Sequence, residues 1–414
     1  MATVLGASLS ACGTTQADSG RVTLQVVATQ YGDRSGNSTQ RYWDKLVGEF
    51  QFSHPDIAVK VTVYDRSTVD KRVADMIKAG NVPDLAQTPG TFADYAAQDR
   101  LYSAGEVLST SSQAAIVSSL ADAGSVNGEQ YGMPFAADTR VLFYNTDLFE
   151  EAGLDGPPQT WKELRADAEA LKDADVQIPY ALPLGSQDAE AEAFNWMISG
   201  GGGYTDDSGQ YAIDSPQNVR TFTWLRDELV GAGLTNPDPA TTDRDSAYEA
   251  FLRGDVGMLN GHPTLMERAL EHGIHFDTAP IPGRDGPVKG SVGVTDWMMA
   301  FKKNGHRQAI RTFLDFVYND KNVLGFATKY DMLPVTTPAT QQLSDDTEHK
   351  RLRPFLDELD TARFYPVSKS SWSEVSRAVA ARIGSTVVDG GDPAEVLGRI
   401  EHTAHQAEAD ARSD

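Results

Sequence analysis

Two short stretches of the chain place acidic side chains beside basic or aromatic ones. Asp138 is followed two residues later by Arg140, and Asp296 directly precedes Trp297. A carboxylate and a guanidinium group either form an ordinary structural ion pair or offer hydrogen bonds to the hydroxyl groups of a ligand. Trp297 lies in a predicted loop that enters a strand, where an exposed ring is available for stacking. These residue types suit a ligand that has both hydroxyl groups and apolar C–H faces.

The short motifs of common hydrolases, metal enzymes and phosphate-binding loops are absent from the sequence. It has no G-x-S-x-G and no H-E-x-x-H, and the glycines at 200–203 lack the following lysine of a phosphate loop. Cys12 is the single cysteine, which excludes an internal disulfide and a thiolate zinc site. His272 and His275 alone predict no metal site. We therefore expect no enzyme activity, no cofactor and no bound metal.

Length and charge limit the class of protein further. The chain has 414 residues, more than one ordinary core accommodates, so two domains are expected. Its formal net charge is -23, and such a surface repels phosphate backbones, which argues against nucleic-acid binding. The apolar runs are shorter than the roughly 18 residues that a membrane-spanning helix needs.

From Arg21 onward the pattern alternates between strands and helices. The predicted elements are strands at 22–27, 57–64 and 84–86 and helices at 39–52 and 69–79. Strands separated by helices imply a parallel sheet with helices on both faces, and such sheets bind ligands at the carboxyl ends of their strands. The loops at these ends carry Tyr31, Asp65 and Gln87, which are therefore candidate ligand contacts.

Later segments carry clear helix-start signals. A capping box opens a predicted helix at 160–172. Ser-Pro and Asp-Pro pairs open predicted helices at residues 215 and 392, and residues 306–318 have one apolar face. The polar residues 403–414 are expected to be a frayed tail.

The beginning of the chain resembles the end of a bacterial secretion signal. A short apolar stretch ends in Leu9-Ser10-Ala11-Cys12, which is similar to a lipobox, in which the cysteine sulfur receives a diacylglycerol group. No lysine or arginine precedes this stretch, so we expect a longer signal. Residues 1–20 are interpreted as signal remnant and tether, with lipidated Cys12 holding the protein on the outer face of the cytoplasmic membrane. An incidental cysteine is the alternative.

Several motifs together resemble one protein family. Residues 130–149, QYGMPFAADTRVLFYNTDLF, resemble the central signature of the family 1 extracellular solute-binding proteins of ABC importers. Residues 158–164, PQTWKEL, are similar to a helix start common in that family. Further matches follow in the family's order at 200–204, 250–258, 260–261 and 333–335. The resemblance covers about residues 21–400.

The resemblance implies an α/β fold of two lobes, each a mostly parallel sheet flanked by helices, with the ligand cleft between them. By analogy, the N-lobe comprises residues 21–133 and 263–318, and the C-lobe comprises residues 134–262 and 319–402. It further implies a monomer that binds a carbohydrate, closes its lobes around it and delivers it to the permease subunits of an ABC transporter.

The resemblance also adds candidate ligand contacts. The family places a ligand-contacting carboxylate at the position of Asp138 and a sugar-stacking aromatic in the segment of Trp372. Asn260 lies in one of the matching motifs. Trp196, ahead of the glycine run, either lines the cleft or belongs to the core, since helix-spaced aromatics are more often core.

The segment after Asn260 usually carries a stacking tryptophan in the family. Here it reads His262-Pro263-Thr264, which favours a different or smaller glycan.

Three functions compete with sugar transport. A binder of a glycerol phosphodiester or of a polyamine is the alternative within the binding class. A secreted glycan hydrolase, which needs two carboxylates at a set separation, is the enzymatic alternative.

Overall fold

A computed structural model describes residues 21–32, 36–90, 92–288 and 290–413, so Cys12 lies outside the described residues. The strands are β1 (Val22–Thr29), β2 (Ile57–Tyr64), β3 (Leu85–Thr88), β4 (Ser125–Val126), β5 (Glu129–Gln130), β6 (Met133–Thr139), β7 (Val141–Asn145), β8 (Ile178–Ala181), β9 (Val256–Gly261), β10 (Phe276–Ala279), β11 (Val292–Ala300) and β12 (Arg363–Phe364).

The α-helices are α1 (Thr39–Ser53), α2 (Val69–Lys78), α3 (Ala93–Ala97), α4 (Ala104–Val107), α5 (Thr110–Ala115), α6 (Ser118–Ala123), α7 (Thr146–Glu151), α8 (Trp161–Asp173), α9 (Ala189–Ser199), α10 (Pro216–Trp224), α11 (Arg244–Leu252), α12 (Pro263–Glu271), α13 (Arg307–Val317), α14 (Asp320–Tyr330), α15 (Thr337–Asp345), α16 (Arg353–Leu359), α17 (Trp372–Arg382) and α18 (Pro393–Ser413). A π-helical turn at Leu225–Val230 continues α10, and 3-10 turns lie at Lys350–Leu352 and Ile383–Thr386. No helix in this described part of the chain is long and apolar enough to cross a membrane.

The first large sheet is built around β1, whose β-branched residues suit a buried strand. β1 pairs in parallel with β2 and β3, and β11 joins β3 in the antiparallel sense. β6 and β12 then pair with β11. The amphipathic helices α1 and α13 turn their apolar faces, including Trp43, Phe50 and Phe313, towards this core.

The second large sheet has the strand order β10-β7-β9-β8. β7 pairs antiparallel with both β9 and β10, and β8 pairs in parallel with β9. A capping box formed by Thr160 and Glu163 opens α8, as the sequence predicted. Arg140 alone separates β6, in the first sheet, from β7, in the second, so this short segment carries the chain from one sheet to the other.

The pairing of three strands differs from the expected division of the chain. Residues 263–318 were assigned to the N-lobe, but β10 pairs with β7 in the second sheet. Residues 134–262 and 319–402 were assigned to the C-lobe, but β6 and β12 pair with β11 in the first sheet. Both deviations have the same cause: the family pattern locates the crossing segments only approximately, whereas backbone hydrogen bonds decide which sheet a strand joins.

The expected frayed tail at residues 403–414 is wrong as well. α18 continues as one helix to Ser413. Ala404 and Ala407 are buried, at 0% and 4% exposure, and α18 packs on α17 and α10. Small buried residues let helices approach closely, and this packing outweighs the polar composition that suggested fraying.

Candidate functional site

The edge of the first sheet at the carboxyl ends of its parallel strands gathers four polar side chains. Tyr31 follows β1, Arg66 follows β2, Gln87 lies near the end of β3, and Asp296 lies on the neighbouring strand β11. Parallel strands end at one edge of a sheet, so residues that are distant in the chain meet there. The sequence predicted Tyr31, Gln87 and Asp296 as site residues, and the structure brings these three together.

Asp296 is the shared acceptor of this first cluster. Its Oδ2 accepts hydrogen bonds from the Tyr31 hydroxyl at 2.5 Å and from Gln87 Nε2 at 2.8 Å. Arg66 donates to both carboxylate oxygens, through Nη1 to Oδ2 at 3.0 Å and through Nη2 to Oδ1 at 2.8 Å. The Asp296 side chain is 2% exposed and that of Arg66 is 48% exposed. A buried carboxylate therefore fixes an arginine whose outer side faces solvent.

A second cluster lies where the chain passes from one sheet to the other. Arg140 donates through Nη1 to Asp138 and through Nη2 to Asp188 Oδ2 at 3.2 Å. Arg244, at the start of α11, donates through Nη1 to the same Asp188 oxygen at 2.9 Å. The structure thus contains the Asp138–Arg140 ion pair that the sequence offered as one possibility. Contact of either residue with a ligand stays a prediction.

The two clusters belong to one site. β6 and β11 are antiparallel neighbours, with Asp138 opposite Val294 and Asp296 opposite Ala136. Arg66, from the first cluster, acts on the second: burial raises the pKa of Asp138, and Arg140 and Arg66 oppose that rise. Hereafter, the polar site denotes the set Tyr31, Arg66, Gln87, Asp138, Arg140, Asp188, Arg244 and Asp296.

Aromatic side chains stand on the α17 side of the site. Tyr365 stacks on Trp372 with ring centroids 5.4 Å apart and an interplanar angle of 21°, and Tyr204 contacts Trp372 at 5.0 Å. Trp372 and Tyr365 line a cavity of about 750 Å³ together with Asp70 of α2 and Tyr95 of α3. The Tyr365 hydroxyl is buried without a hydrogen-bond partner among the described residues. The cavity therefore lies between α17 and the helices α2 and α3 and is lined in part by aromatic side chains.

Two of the predicted tryptophans are core residues. Trp297 was expected in an exposed loop, but it lies within β11 at 1% exposure and packs on Phe92, with ring centroids 5.1 Å apart. Trp196 was a candidate for the cleft, but it is 1% exposed and packs against Trp161 and Trp224. In both cases burial of a large apolar ring outweighs any gain from an exposed position.

Asp65 is a predicted loop residue that the structure does not bring to the first cluster. Its backbone carbonyl accepts from Thr68 N at 2.9 Å and from Val69 N at 3.0 Å, at the start of α2, and the residue is exposed. The next residue, Arg66, reaches Asp296 instead. The loop after β2 therefore reaches Asp296 through Arg66, and contact of Asp65 with a ligand stays a prediction.

Asn260, a predicted ligand contact, is a buried residue. It is 5% exposed at the carboxyl end of β9, and its Nδ2 donates to Glu192 Oε1 at 3.1 Å. Trp196 Nε1 donates to the same oxygen at 2.8 Å. Asn260 Oδ1 is buried and has no partner among the described residues. Burial raises the pKa of Glu192 to about 7, although these two hydrogen bonds lower it.

Glu192→Gln is expected to change how stability depends on pH. A carboxyl whose pKa rises from 4.5 to about 7 on folding favours the fold fully below pH 4.5, and this contribution is lost as pH rises through 7. The neutral glutamine has no such loss. Between pH 4.5 and about pH 8, the unfolding free energy of the wild type should therefore fall by about 3 kcal/mol relative to that of the variant. Denaturant titrations of both proteins across this range measure the shift, and a constant difference would contradict it.

Sequence reasoning missed Arg66, Asp188, Arg244 and Tyr365. Arg66 was visible, since it lies in the predicted loop after β2. Asp188 had a weaker signal, an acidic residue directly before a helix. Arg244 and Tyr365 lie outside the individual motifs that match the family, and only the three-dimensional arrangement brings them to the site.

Known proteins that this chain matches are described as binding proteins. The family model described as bacterial extracellular solute-binding protein matches residues 36–323. A protein of Brucella abortus (strain 2308) that carries the general name of a binding protein is 25% identical over 387 residues, 92% of each chain. The sn-glycerol-3-phosphate-binding periplasmic protein of Escherichia coli (strain K12) is 27% identical over 228 residues, 52% of this chain and 51% of its own length.

Solved structures support the fold. The cyclic alpha-maltosyl-1,6-maltose binding protein from Arthrobacter globiformis superposes with a TM-score of 0.80 at 20% identity, covering 94% of this chain and 100% of its own. This likeness confirms the predicted α/β fold of two-lobed binding proteins.

Proposed function

Since the chain belongs to the bacterial extracellular solute-binding proteins, which serve ABC importers and are not enzymes, we propose that it binds a carbohydrate in the polar site. One observation carries this choice. Each of the three arginines of the site is bonded to a carboxylate: Arg66 to Asp296, Arg140 to Asp138 and Asp188, and Arg244 to Asp188.

Paired charges favour an uncharged, hydroxyl-rich ligand. A guanidinium group held by a carboxylate keeps N–H groups that can donate to hydroxyls, and the carboxylate can accept from them. An anion would have to be placed beside these carboxylates, and their repulsion would offset the attraction of the arginines. The stacked rings of Tyr365 and Trp372 supply the apolar surface that the C–H face of a sugar needs.

The glycerol phosphodiester class is the second candidate. The similarity to the sn-glycerol-3-phosphate-binding protein of Escherichia coli over half of the chain favours a ligand with a glycerol phosphate group, which the phosphodiesters share with that monoester. So does the 48% exposure of the Arg66 side chain, because an exposed guanidinium can meet a phosphate. The bidentate bond from Arg66 to Asp296 argues against it.

Transport would follow from closure of the two halves around the ligand. Gln87 and Asp296 lie on strands of the first sheet and Tyr31 follows β1, whereas Arg244 begins α11, which packs on β9 of the second sheet. A ligand that contacts both sets binds the closed arrangement more tightly and shifts the population towards it. The closed form is then the one that the permease subunits of an ABC transporter recognise.

The remaining parts of this proposal rest on the sequence. The lipobox-like segment that ends at Cys12 supports a lipid anchor and hence a position on the outer face of the cytoplasmic membrane. We further propose that the protein acts as a monomer, in line with the binding role of its family.

A thermal-shift screen of the purified protein tests the ligand class. A panel of neutral mono- and oligosaccharides is compared with sn-glycerol 3-phosphate and spermidine. A neutral sugar at a concentration 100 times its Kd should stabilise the fold by about 2.7 kcal/mol and should be recovered chemically unchanged. A response to sn-glycerol 3-phosphate alone would establish recognition of a glycerol phosphate group, as the second candidate requires, and a response to spermidine alone would establish a polyamine binder. Cleavage of the sugar would contradict the binding role.

A further inference from the structure

Asp188 is the carboxylate that holds two arginines of the polar site at once. Its Oδ2 accepts from Arg140 Nη2 at 3.2 Å and from Arg244 Nη1 at 2.9 Å. Among the described residues, Asp138 forms its ion pair with Arg140, and the other carboxylate that contacts Arg244 is Asp245, whose side chain is 61% exposed. The charge of Arg244 therefore has one well-shielded counterpart among these contacts, and that counterpart is Asp188.

The backbone of Asp188 is unusual in a way that serves this contact. The residue has φ 64° and ψ 20°, in the left-handed region, directly before α9. Its side chain makes no capping hydrogen bond to the helix, although aspartate at this position commonly does. Strained backbone of this kind persists where surrounding contacts hold it and is concentrated at functional sites. Here the carboxylate is directed to the two arginines instead of the helix end.

The groups facing Asp188 keep it ionised. Burial tends to raise its pKa, but Arg140 and Arg244 outweigh burial, and the pKa lies below the ordinary value. Glu190 faces the same region, and burial together with Asp188 raises its pKa to about 7. Burial and the nearby arginines hold the pKa of His262 well below its ordinary value, so this imidazole is neutral at neutral pH. Asp188 is therefore a permanent negative charge between two permanent positive ones.

We propose that Asp188 is the specificity-determining residue that makes the polar site reject anions and accept uncharged hydroxyl-rich ligands. It acts through Arg140 and Arg244: together with Asp138, which also pairs with Arg140, it balances their two positive charges and leaves N–H groups that can donate. Without the carboxylate, the two guanidinium groups would face the cleft with an excess of positive charge, and a phosphate group could bridge them. This inference rests on the proposed carbohydrate function, and it assigns the discrimination within that function to a single side chain.

Asp188→Asn tests the inference directly. Asparagine has the same shape and tolerates the left-handed backbone, so the variant should fold. Isothermal titration with inorganic phosphate at low ionic strength compares wild type, the variant and the control Asp227→Asn, which removes the same charge from an exposed, arginine-paired site on the π-helical turn. We expect phosphate affinity to rise at least roughly tenfold in Asp188→Asn only, and the gain to fall as salt is added. Adding Arg244→Gln to the variant should abolish the gain.

The outcomes separate this inference from the proposed function. A folded Asp188→Asn protein with wild-type phosphate affinity would overturn the role of Asp188, whatever the sugar screen shows. Equal tight binding of phosphate by wild type and by the variant would overturn it too. If the variant gains phosphate affinity but no neutral sugar stabilises the wild type, Asp188 keeps its role and the carbohydrate proposal fails. Asp188→Gly, which also permits the left-handed backbone, provides a second folded variant.

Discussion

Asp296→Ala should destabilise the protein by about 3–5 kcal/mol and abolish its response to ligand. The substitution removes the acceptor shared by Tyr31, Arg66 and Gln87. Gln87 is fully buried, so its amide would lose a hydrogen bond without gaining water, and the Arg66 guanidinium would lose its bidentate partner. Denaturant unfolding measures the change in free energy, and the thermal-shift screen measures the loss of ligand response.

The matched control for this change is Asp357→Ala. Asp357 is an exposed aspartate on α16, and its truncation should alter stability by less than about 0.5 kcal/mol. Similar small effects at Asp296 and Asp357 would show that the first cluster contributes little to the fold. Asp296→Asn keeps the size of the side chain, and it should lose stability as well, because its amide nitrogen cannot accept from Arg66 and its neutral side chain cannot pair with the guanidinium charge.

Trp196→Ala is expected to cost about 3–5 kcal/mol of stability. The ring is 1% exposed and lies among Tyr180, Trp161 and Trp224, so truncation leaves a cavity that these large rings cannot fill. The substitution also removes the indole N–H that donates to buried Glu192. Calorimetry or denaturant unfolding measures the loss.

Phe52→Ala is the control for an aromatic truncation without burial. Phe52 is 92% exposed at the end of α1, and its loss should change stability by less than about 0.5 kcal/mol. A mild effect of Trp196→Ala combined with a loss of ligand binding would show that Trp196 lies in the cleft.

Trp372 is 4% exposed, as buried as a core residue, and it also lines the cavity. Its truncation should therefore reduce both the stability of the protein and its affinity for the ligand.

The sequence predicted secondary structure well where a physical signal was strong. Ile57–Tyr64 is a strand with the predicted bounds, because its alternating pattern has one register. The capping box at Thr160 and the proline at the start of α10 marked helix ends by specific hydrogen bonds and backbone angles. The lobe boundaries were less accurate, because strand pairing between distant segments leaves no local pattern.

The site was predicted in part for similar reasons. Tyr31 and Gln87 follow from a general rule, since parallel strands bring their carboxyl ends together. Trp297 could not be placed correctly, because a short apolar run gives no indication of whether a loop or a strand carries it. The partners of Asp188 are 48 and 56 residues away from it in the chain, and only the folded arrangement specifies such pairs.

The first sheet cannot be completed before β11 has been synthesised, because β11 pairs with strands from distant parts of the chain. β11 joins β3 to β6 and β12, yet it begins at residue 292 of a 414-residue chain. A nascent chain that has produced β1, β2 and β3 therefore lacks the strand that completes their sheet, and closing a loop of that length is slow. Until β11 emerges, the first half of the chain stays without its finished core. We therefore expect the polar site, which needs Asp296 of β11, to form only after that strand has been synthesised.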